Sequence, residues 1–479
     1  MNSEILGALD SVFVTMDSAN APLHIGIALE LEPSEHSAKD PEVRFAEISS
    51  AIEERLGGIE VLRRRLLRVP FDLGPPVIVD DPDFDISFHV VRRAVPSPGG
   101  PSELEKLIAR IMARPLAPDR PLWEISVIEG LEGGATALLA KVHHALADGV
   151  SGVTVFAGLF DLSAEQDHHP AEREELEIPA IPSPVELLTR SSSEILRRPG
   201  ALLDAIGSSL QRLAGKVDEI TGAAEPAEQT PSTPSLLDAP RTSLTGTVSY
   251  ARNFERFGLP IDVVKEAAHR HDATVTDFAM AMVGGALRRL LEHRGELIDD
   301  DLIAFVPVNI RAPGTEGDLG NKISGRLVPL HALSESPELR LAALGADSRM
   351  RRETEGGESS DFINDLAEAA GPVVASFAGR VISAFDLFEH LPHVANVIVS
   401  SVPGPPIPLW CVGERIIRAS PMGPLMFNQA LNVTLLSYDG TLEFGILACA
   451  RKVPDAAFLK VLLEEEAADL FASGVTSER

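Results

Sequence analysis

The sequence predicts a mixed α/β protein of two lobes that are joined by a long connection. Short apolar runs of strand length alternate with helical apolar patterns in both halves of the 479-residue chain. Between the halves, from Ser163 to about Pro240, the sequence becomes charged and rich in proline and serine. No repeat of fixed period is visible, which argues against solenoids and propellers. We therefore assign the lobes to residues 1–162 and 246–479 and the connection to residues 163–245.

Each predicted element of the first half has a local signal. Residues 24–31 (HIGIALEL) form an apolar run between Pro22 and Pro33, which is typical of a buried strand. Residues 43–56 place apolar side chains on one helical face and end at Gly57-Gly58, which predicts a helix. The same reasoning predicts a strand at 84–91, a helix at 102–112 capped by serine, and a hairpin of strands at 125–128 and 135–142.

Similar patterns predict the second lobe. Helices are expected at 262–270 and 276–293, the second one capped by Thr274 or Thr276. Within the connection, a leucine-rich pattern at 184–220 predicts one or two helices that are followed by a proline-rich tether. Strands are expected at 302–309, 396–402, 431–438 and 442–450, with Asp439-Gly440 as the turn of the last hairpin.

The composition excludes several classes of protein. Asp and Glu total 71 against 42 Lys and Arg, so the formal net charge is −29 and the chain repels nucleic acid and other polyanions. Two cysteines, Cys411 and Cys449, exclude a disulfide scaffold and a cysteine-rich metal site. The first ten residues lack the pattern of a signal peptide, and no apolar run is long enough to span a bilayer as a helix. We expect a cytoplasmic protein.

The segment 141–149 (KVHHALADG) is the strongest candidate for chemistry. An apolar strand leads into His143 and His144. Adjacent residues of a strand point to opposite sides, so one histidine can face a cleft while the other is held by the fold. A neutral imidazole is suited to deprotonate a hydroxyl or a thiol near neutral pH. Asp148 is suited to a charge pair that braces the loop.

Two other interpretations of the histidine doublet remain open at this point. A pair of histidines that enters a turn can be purely structural. His143, His144 and Asp148 could also bind a metal ion, but diverging strand histidines and the lack of another His, Cys or Glu cluster do not favour this. We expect a general base, with no metal site and no resident cofactor.

The motif HHALADG resembles the active-site signature of the CoA-dependent acyltransferase superfamily, which includes chloramphenicol acetyltransferases and peptide-synthetase condensation domains. Further segments, in both halves of the chain, resemble the bacterial wax ester synthase/diacylglycerol acyltransferase family. They are 20–26 (NAPLHIG), 121–124 (PLWE), 274–291 (TVTDFAMAMVGGALRRLL), 306–311 (VPVNIR), 320–321 (GN), 396–405 (NVIVSSVPGP) and 431–445 (LNVTLLSYDGTLEFG). HHxxxDG alone is moderately specific, whereas the ordered set is strongly specific.

The resemblance implies a two-lobed, chloramphenicol-acetyltransferase-like fold with the active-site channel between the lobes. Acyl-CoA, as co-substrate, would enter from one side and the alcohol from the other. The resemblance also implies that His144 is the general base, that His143 shapes the site, and that Asp148 holds the loop, paired with an arginine such as Arg311. The reaction would be direct, without a covalent acyl-enzyme, a metal or a redox cofactor.

Substrate-binding residues follow from the same resemblance. They are Pro121, Leu122, Trp123, Gly149, Thr276, Asp277, Asn309 and Arg311. The family usually has Asn-Asp where this chain has Thr276-Asp277, and asparagine where it has Ser401. If the first of those asparagines stabilises the oxyanion, the shorter hydroxyl of Thr276 must replace it. Taken alone, Thr276 could equally be a helix cap and Trp123 a packed core residue.

Together these observations predict an O-acyltransferase that moves a long-chain acyl group from acyl-CoA to diacylglycerol or a fatty alcohol, for triacylglycerol or wax ester synthesis. It would act at a membrane or lipid-inclusion surface without spanning it. The helix at 184–220 is the candidate contact, and it could equally pack across the two lobes. The alternatives are another acceptor, such as a polyketide alcohol or a carrier-bound thioester, and a non-catalytic lipid-binding protein. The basic run at 63–68 could bind CoA phosphates or form a solvated helix face.

Overall fold

The computed structural model describes residues 4–34, 40–70, 75–146, 152, 156–165, 181–187, 239–309, 323–354, 394–426 and 428–472. Most of the predicted connection, including nearly all of the predicted helix at 184–220 and the tether, lies outside these residues. The lobe boundaries therefore stay a prediction. The fold class is confirmed, because helices and two large sheets form a two-lobed, mixed α/β structure.

Helices and strands alternate in both halves of the chain. The elements of the first half are β1 (Glu4–Ile5), α1 (Ala8–Met16), β2 (His24–Leu31), α2 (Pro41–Leu56), β3 (Arg64–Leu67), β4 (Val77–Asp80), β5 (Val90–Ala94), α3 (Pro101–Met112), β6 (Trp123–Glu129) and β7 (Thr136–His143). Those of the second half are β8 (Arg252–Pro260), α4 (Ile261–His269), α5 (Val275–His293), β9 (Ile303–Asn309), β10 (Ile323–Pro329), α6 (Pro337–Thr354), β11 (Val397–Val402), β12 (Trp410–Cys411), β13 (Glu414–Met422), β14 (Leu431–Tyr438), β15 (Thr441–Cys449) and α7 (Ala456–Ala472). In the described part of the chain, no helix has the length and apolar character that crossing a membrane requires.

Two six-stranded sheets form the centre of the molecule. The first has the strand order β12-β13-β2-β7-β6-β5, and the second has the order β10-β9-β11-β14-β15-β8. A small three-stranded sheet has the order β1-β4-β3. The first sheet thus takes β12 and β13 from the C-terminal half of the chain, so chain order does not separate the two sheets.

β13 is the strand that ties the two sheets together. It pairs antiparallel with β2, from Ile416 opposite Leu31 to Met422 opposite Gly26. It also lies against β15 of the second sheet, because a Cβ atom at Gly445 would be 1.7 Å from the carbonyl oxygen of Pro421. Glycine is therefore required at this close approach of two backbones.

α5 is the central helix of the second half and is buried along most of its length. It packs against α6 and α7. Arg340 of α6 is fully buried, donates to the carbonyl oxygen of Ala281 over 2.8 Å, and pairs with Glu466 of α7. Because a buried charge is stable when it is paired and costly when it is not, these contacts fix the mutual position of the three helices.

The structure decides between the two predicted caps of α5 and moves the start of α3. The hydroxyl of Thr274 accepts a hydrogen bond from the N–H of Asp277, and the Asp277 carboxylate accepts one from the N–H of Thr274, so Thr274 and not Thr276 caps α5. α3 begins one residue before the predicted serine cap. Its first turn is closed by the Glu103 carboxylate, which accepts from the N–H of Gly100 over 3.0 Å.

The predicted strand at 84–91 is wrong. The Asp85 carboxylate accepts a hydrogen bond from the N–H of Ser87 over 2.8 Å and starts a 3₁₀ turn over Ile86–Phe88. The strand β5 begins at Val90, which lies opposite Ile125 of β6. Local capping by a carboxylate thus outweighs the alternation of apolar residues in this segment.

We expect Gly445→Ala to destabilise the protein, because the new methyl group would overlap the carbonyl oxygen of Pro421 and push β13 away from β15. Overpacking of this kind typically lowers the free energy of unfolding by about 1–3 kcal/mol. Gly58→Ala is the matched control, since a Cβ atom there would lie 3.8 Å from the carbonyl oxygen of Arg55. Thermal and urea unfolding compare the two variants, and equal stabilities would contradict the tight contact.

Candidate active site

β7 carries the histidine doublet to one end of the first sheet. All eight residues of β7 are buried, and its last residue, His143, lies opposite His24, the first residue of β2. The backbone N–H of His143 donates to the carbonyl oxygen of Leu122 over 2.9 Å, and that of His144 donates to Leu23 over 2.9 Å. The chain on each side of β7 therefore holds the backbone of the doublet.

His143 is enclosed and uncharged. Burial, followed by the neighbouring His144 and Arg68, lowers the pKa of His143 to about 3. Its Nδ1 accepts a hydrogen bond from the N–H of Ala145 over 3.1 Å, which assigns the proton of the neutral ring to Nε2. Nε2 lies 3.8 Å from Oδ1 of Asp17. Both ring nitrogens thus face groups of the protein.

His24 has the same neutral character. Its Nε2 donates to the carbonyl oxygen of Met112 over 2.7 Å. Burial, followed by the nearby Lys141 ammonium, lowers the pKa of His24 well below its ordinary value. The pair of histidines that faces across β2 and β7 is therefore a structural, uncharged pair.

His144 lines a cavity of ≈110 Å³ between the two sheets. Its imidazole ring stacks on Phe13 of α1, with the ring centroids 4.4 Å apart and an angle of 28° between the ring planes. The whole residue is 7% exposed. Of the two adjacent histidines, His144 is the one that a substrate in this cavity would meet.

The cavity has mostly apolar walls that come from both sheets. Its apolar lining residues are Ile25, Ile27, Phe156, Pro307, Ile398, Val402, Pro421, Met422, Pro424, Met426 and Leu436, and its glycines are Gly26, Gly152 and Gly423. The polar ones, besides His144, are Ser400, Ser401, Asn432 and Thr434. The arrangement suits an apolar ligand with one polar, reactive group.

Asn432 and Thr434 form a polar strip on β14 that sequence reasoning missed. The Thr434 hydroxyl donates to Oδ1 of Asn432 over 2.7 Å, and Nδ2 of Asn432 donates to the carbonyl oxygen of Pro424 over 2.8 Å. Both side chains are buried. The available signal was an Asn-x-Thr spacing inside an otherwise apolar strand, which puts both side chains on one face.

Pro121, Leu122 and Trp123 lie beside β7 and are absent from the cavity lining. All three are buried. The indole N–H of Trp123 donates to the carbonyl oxygen of Leu62 over 2.6 Å, and its ring stacks on His89 at 4.5 Å. Their described contacts are those of a packed core that supports the strand carrying the doublet.

Thr276 and Asp277 lie in the first turn of α5 and are also absent from the cavity lining. Besides its bonds to Thr274, the Asp277 carboxylate accepts a hydrogen bond from the hydroxyl of Ser348 over 2.6 Å. Ser401, the other departure from the family pattern, does line the cavity. The two departures therefore occupy different environments.

Several predicted site residues lie at the limits of the described structure. Asp148, Gly149 and Arg311 are outside the described residues. Asn309 ends β9, where it lies opposite Ile323 of β10. Pro307 of the same strand lines the cavity. Within the described residues, no group of three His, Cys, Asp or Glu side chains is arranged to hold a metal ion.

The basic run at 63–68 is engaged by carboxylates and carbonyl groups. Arg64 lies 3.2 Å from the Asp80 carboxylate, and Arg65 lies 3.4 Å from that of Asp81. Arg68 donates to the carbonyl oxygen of Val14 over 2.7 Å. These residues form a 3₁₀ turn, β3 and its continuation instead of a helix face. These contacts hold the arginines of the run against neighbouring segments of the first half of the chain.

The chain matches the family models of two domains. The wax ester synthase/diacylglycerol acyltransferase catalytic domain matches residues 6–279, and the WS/DGAT C-terminal domain matches residues 319–470. The chain is also 33% identical over 473 residues to the probable diacylglycerol O-acyltransferase tgs1 of Mycobacterium tuberculosis. This similarity covers 98% of the chain and 96% of the relative.

The solved structures that share the fold include the following two. The wax ester synthase/diacylglycerol acyltransferase from Marinobacter aquaeolei VT8 has a TM-score of 0.70 at 23% identity, covering 98% of this chain and 99% of that one. The first condensation domain of the calcium-dependent antibiotic synthetase has a TM-score of 0.56 at 18% identity, covering 98% and 95%. The resemblance noted in the sequence is thereby confirmed. The chain is an acyltransferase and belongs to the wax ester synthase/diacylglycerol acyltransferase family.

Proposed function

We propose that this acyltransferase moves a long-chain acyl group from acyl-CoA to the hydroxyl of diacylglycerol or a fatty alcohol, with His144 as the general base. The observation that carries the proposal is the position of His144 on an apolar cavity between the two sheets. A buried imidazole within reach of a bound hydroxyl has the chemistry that ester formation requires. The diacylglycerol acceptor is supported by the name of the tgs1 relative.

The proposed reaction has two proton transfers and no covalent enzyme intermediate. His144 takes the proton of the acceptor hydroxyl while the oxygen attacks the thioester carbonyl and a tetrahedral oxyanion forms. The carbon–sulfur bond then breaks, and the imidazolium returns the proton to the leaving sulfur of CoA. The products are an ester and free CoA, so no resident cofactor or metal ion takes part.

His143 is not the base in this scheme. Its low pKa and its bond from the N–H of Ala145 keep it neutral and engaged. The proposed role of His143 is to hold the turn that presents His144. Asp148 keeps its predicted role as a brace of the same loop, and Arg311 that of its partner.

The oxyanion needs a hydrogen-bond donor, and loss of such a donor typically costs a factor of about 10²–10³ in rate. Ser400, Ser401, Asn432 and Thr434 carry side-chain donor groups on the described cavity wall, and the Thr434 hydroxyl already donates to Asn432. The resemblance suggested Thr276 for this task, but Thr276 is absent from that wall. We therefore propose that a residue of the cavity wall donates to the oxyanion. The proposed role of Thr276, Asp277 and the segment Pro121–Trp123 is to support the elements that form the site.

Substrate access completes the proposal. Diacylglycerol stays in lipid, so the protein must reach a membrane or lipid-inclusion surface without spanning it. With a net charge of −29, attraction to that surface has to come from apolar contact. We propose a cytoplasmic protein that binds lipid peripherally. The competing proposal is a different acceptor, such as a polyketide alcohol or a carrier-bound thioester, and the assay below separates the two.

We expect His144→Ala to lower ester formation by a factor of about 10²–10⁴, the usual contribution of a general base. The assay uses palmitoyl-CoA with diacylglycerol or hexadecanol and follows release of CoA. His269→Ala, an exposed histidine at the end of α4, is the matched control and should keep full turnover. Unchanged turnover of His144→Ala would refute the assignment of the base. Activity toward neither acceptor in the wild type would redirect the search to other acceptors.

The neutral state of His143 predicts an acid-sensitive fold. Its pKa is near 6.5 in the unfolded chain and about 3 in the folded one, so the unfolded state binds the extra proton between these values. The contribution of His143 to the free energy of unfolding is therefore fully present above pH 6.5 and decreases as the pH falls from 6.5 toward 3. The slope is about 1.4 kcal/mol per pH unit.

His143→Gln removes this proton linkage. We expect the variant to be less stable than the wild type at pH 7.5 but to lose about 1.4 kcal/mol less unfolding free energy on going to pH 5.5. Urea unfolding at the two pH values measures the difference. Equal losses in both proteins would mean that His143 does not stay neutral in the folded state.

A further inference from the structure

The helix α1 and the residue that follows it contact both histidines of the doublet. Phe13 and Asp17 are four positions apart, which is about one helical turn. The ring of Phe13 stacks on that of His144, with 4.4 Å between the centroids. Oδ1 of Asp17 lies 3.8 Å from Nε2 of His143. This arrangement was not predicted from the sequence, because α1 is far from the HHxxxDG motif along the chain.

The position of α1 is fixed by contacts at its C-terminal end. The Asp17 carboxylate accepts a hydrogen bond from the N–H of Leu23 over 2.7 Å, and the carbonyl oxygen of Leu23 accepts from His144. Arg68 donates to the carbonyl oxygen of Val14 over 2.7 Å. These hydrogen bonds connect the end of α1, through Leu23, to the backbone of His144. The protein itself therefore holds the Phe13 ring against the imidazole, without a bound substrate.

A phenyl ring in this place acts differently on the two protonation states of His144. The face of an aromatic ring carries negative charge density and attracts a cation, most strongly where water is excluded. Phe13 and His144 are each 7% exposed, so the contact is largely dry. During acyl transfer His144 passes from imidazole to imidazolium. The ring thus favours the charged form that exists after the hydroxyl proton has been taken.

We propose that Phe13 is a positioning residue of acyl transfer, which orients the imidazole of His144 and stabilises its protonated form through the ring face. The proposal rests on the proposed role of His144 as the base. A desolvated cation–π contact corresponds to a factor of up to about 30 in rate. Asp17 and Arg68 lie close to the doublet, Asp10 is a buried carboxyl of α1 three positions before Phe13, and His143 is neutral.

Fluorinated phenylalanines at position 13 separate this role from simple packing. Replacing Phe13 by mono-, di- and trifluorophenylalanine removes charge density from the ring face in steps while nearly preserving its shape. We expect the single-turnover rate with palmitoyl-CoA and hexadecanol to fall steadily along the series, by about 10–30-fold at the last member, while KM for palmitoyl-CoA stays within twofold. The acidic limb of the pH–rate profile should move to lower pH along the series, because the imidazolium is less stabilised.

Two controls make the result decisive. The same substitutions at Phe278, which is fully buried in the second lobe and stacks on Phe471, should leave the rate unchanged. Phe13→Leu should lose at least as much rate as the trifluoro variant, and Phe13→Tyr should retain most of it. A flat fluorination series together with a slow Phe13→Leu variant would reduce Phe13 to a packing residue and overturn the proposal. Full turnover of His144→Ala would instead refute the base on which the proposal rests.

Discussion

The backbone of β13 touches that of β15 so closely that position 445 has to be glycine, and the distance between the two sheets follows from this contact. Ion pairs between the two sheets reinforce it. Arg256 of β8 pairs with Glu30 of β2 and lies 3.6 Å from Glu105 of α3, while Arg418 of β13 lies 3.3 Å from Glu443 of β15. Burial raises the pKa of Glu443, which Arg418 and Arg256 counteract. A shift of β13 by one residue would separate Arg418 from Glu443, so this pair favours one register of β13.

The cavity is a consequence of the same crossing. The last residues of β13 and the first residues of β2 form one wall, and strands of the second sheet form the other. β7 ends beside that wall, so the residue that follows the strand enters the cavity while the last residue of the strand stays enclosed. The apolar walls of the cavity strengthen the electrostatic effect of each polar group on them. The end of β7 thus places two adjacent histidines in different environments, with His143 enclosed and His144 on the cavity.

Elements with strong local signals were predicted well from the sequence. The bounds of β2 and β14 coincide with the predicted ones, and the Asp439-Gly440 turn has the two positive φ angles, 42° and 80°, that such a hairpin needs. β13 was missed because Arg415, Arg418 and Pro421 interrupt its apolar pattern and its partner is near the other end of the chain. The polar strip on β14 and the ring beneath the imidazole were missed for a similar reason. Such contacts between distant segments leave no periodic trace in the sequence.

The origin of β13 also determines when the first sheet can be completed during synthesis. Until residues 414–422 have left the ribosome, β2 has one edge without a strand beside it, and that edge presents free N–H and C=O groups to other chains. The family match that ends at residue 279 therefore stops before a strand that its own sheet requires. A fragment cut at that boundary would expose a long apolar edge and aggregate, which makes the two matched domains units of sequence rather than units of folding.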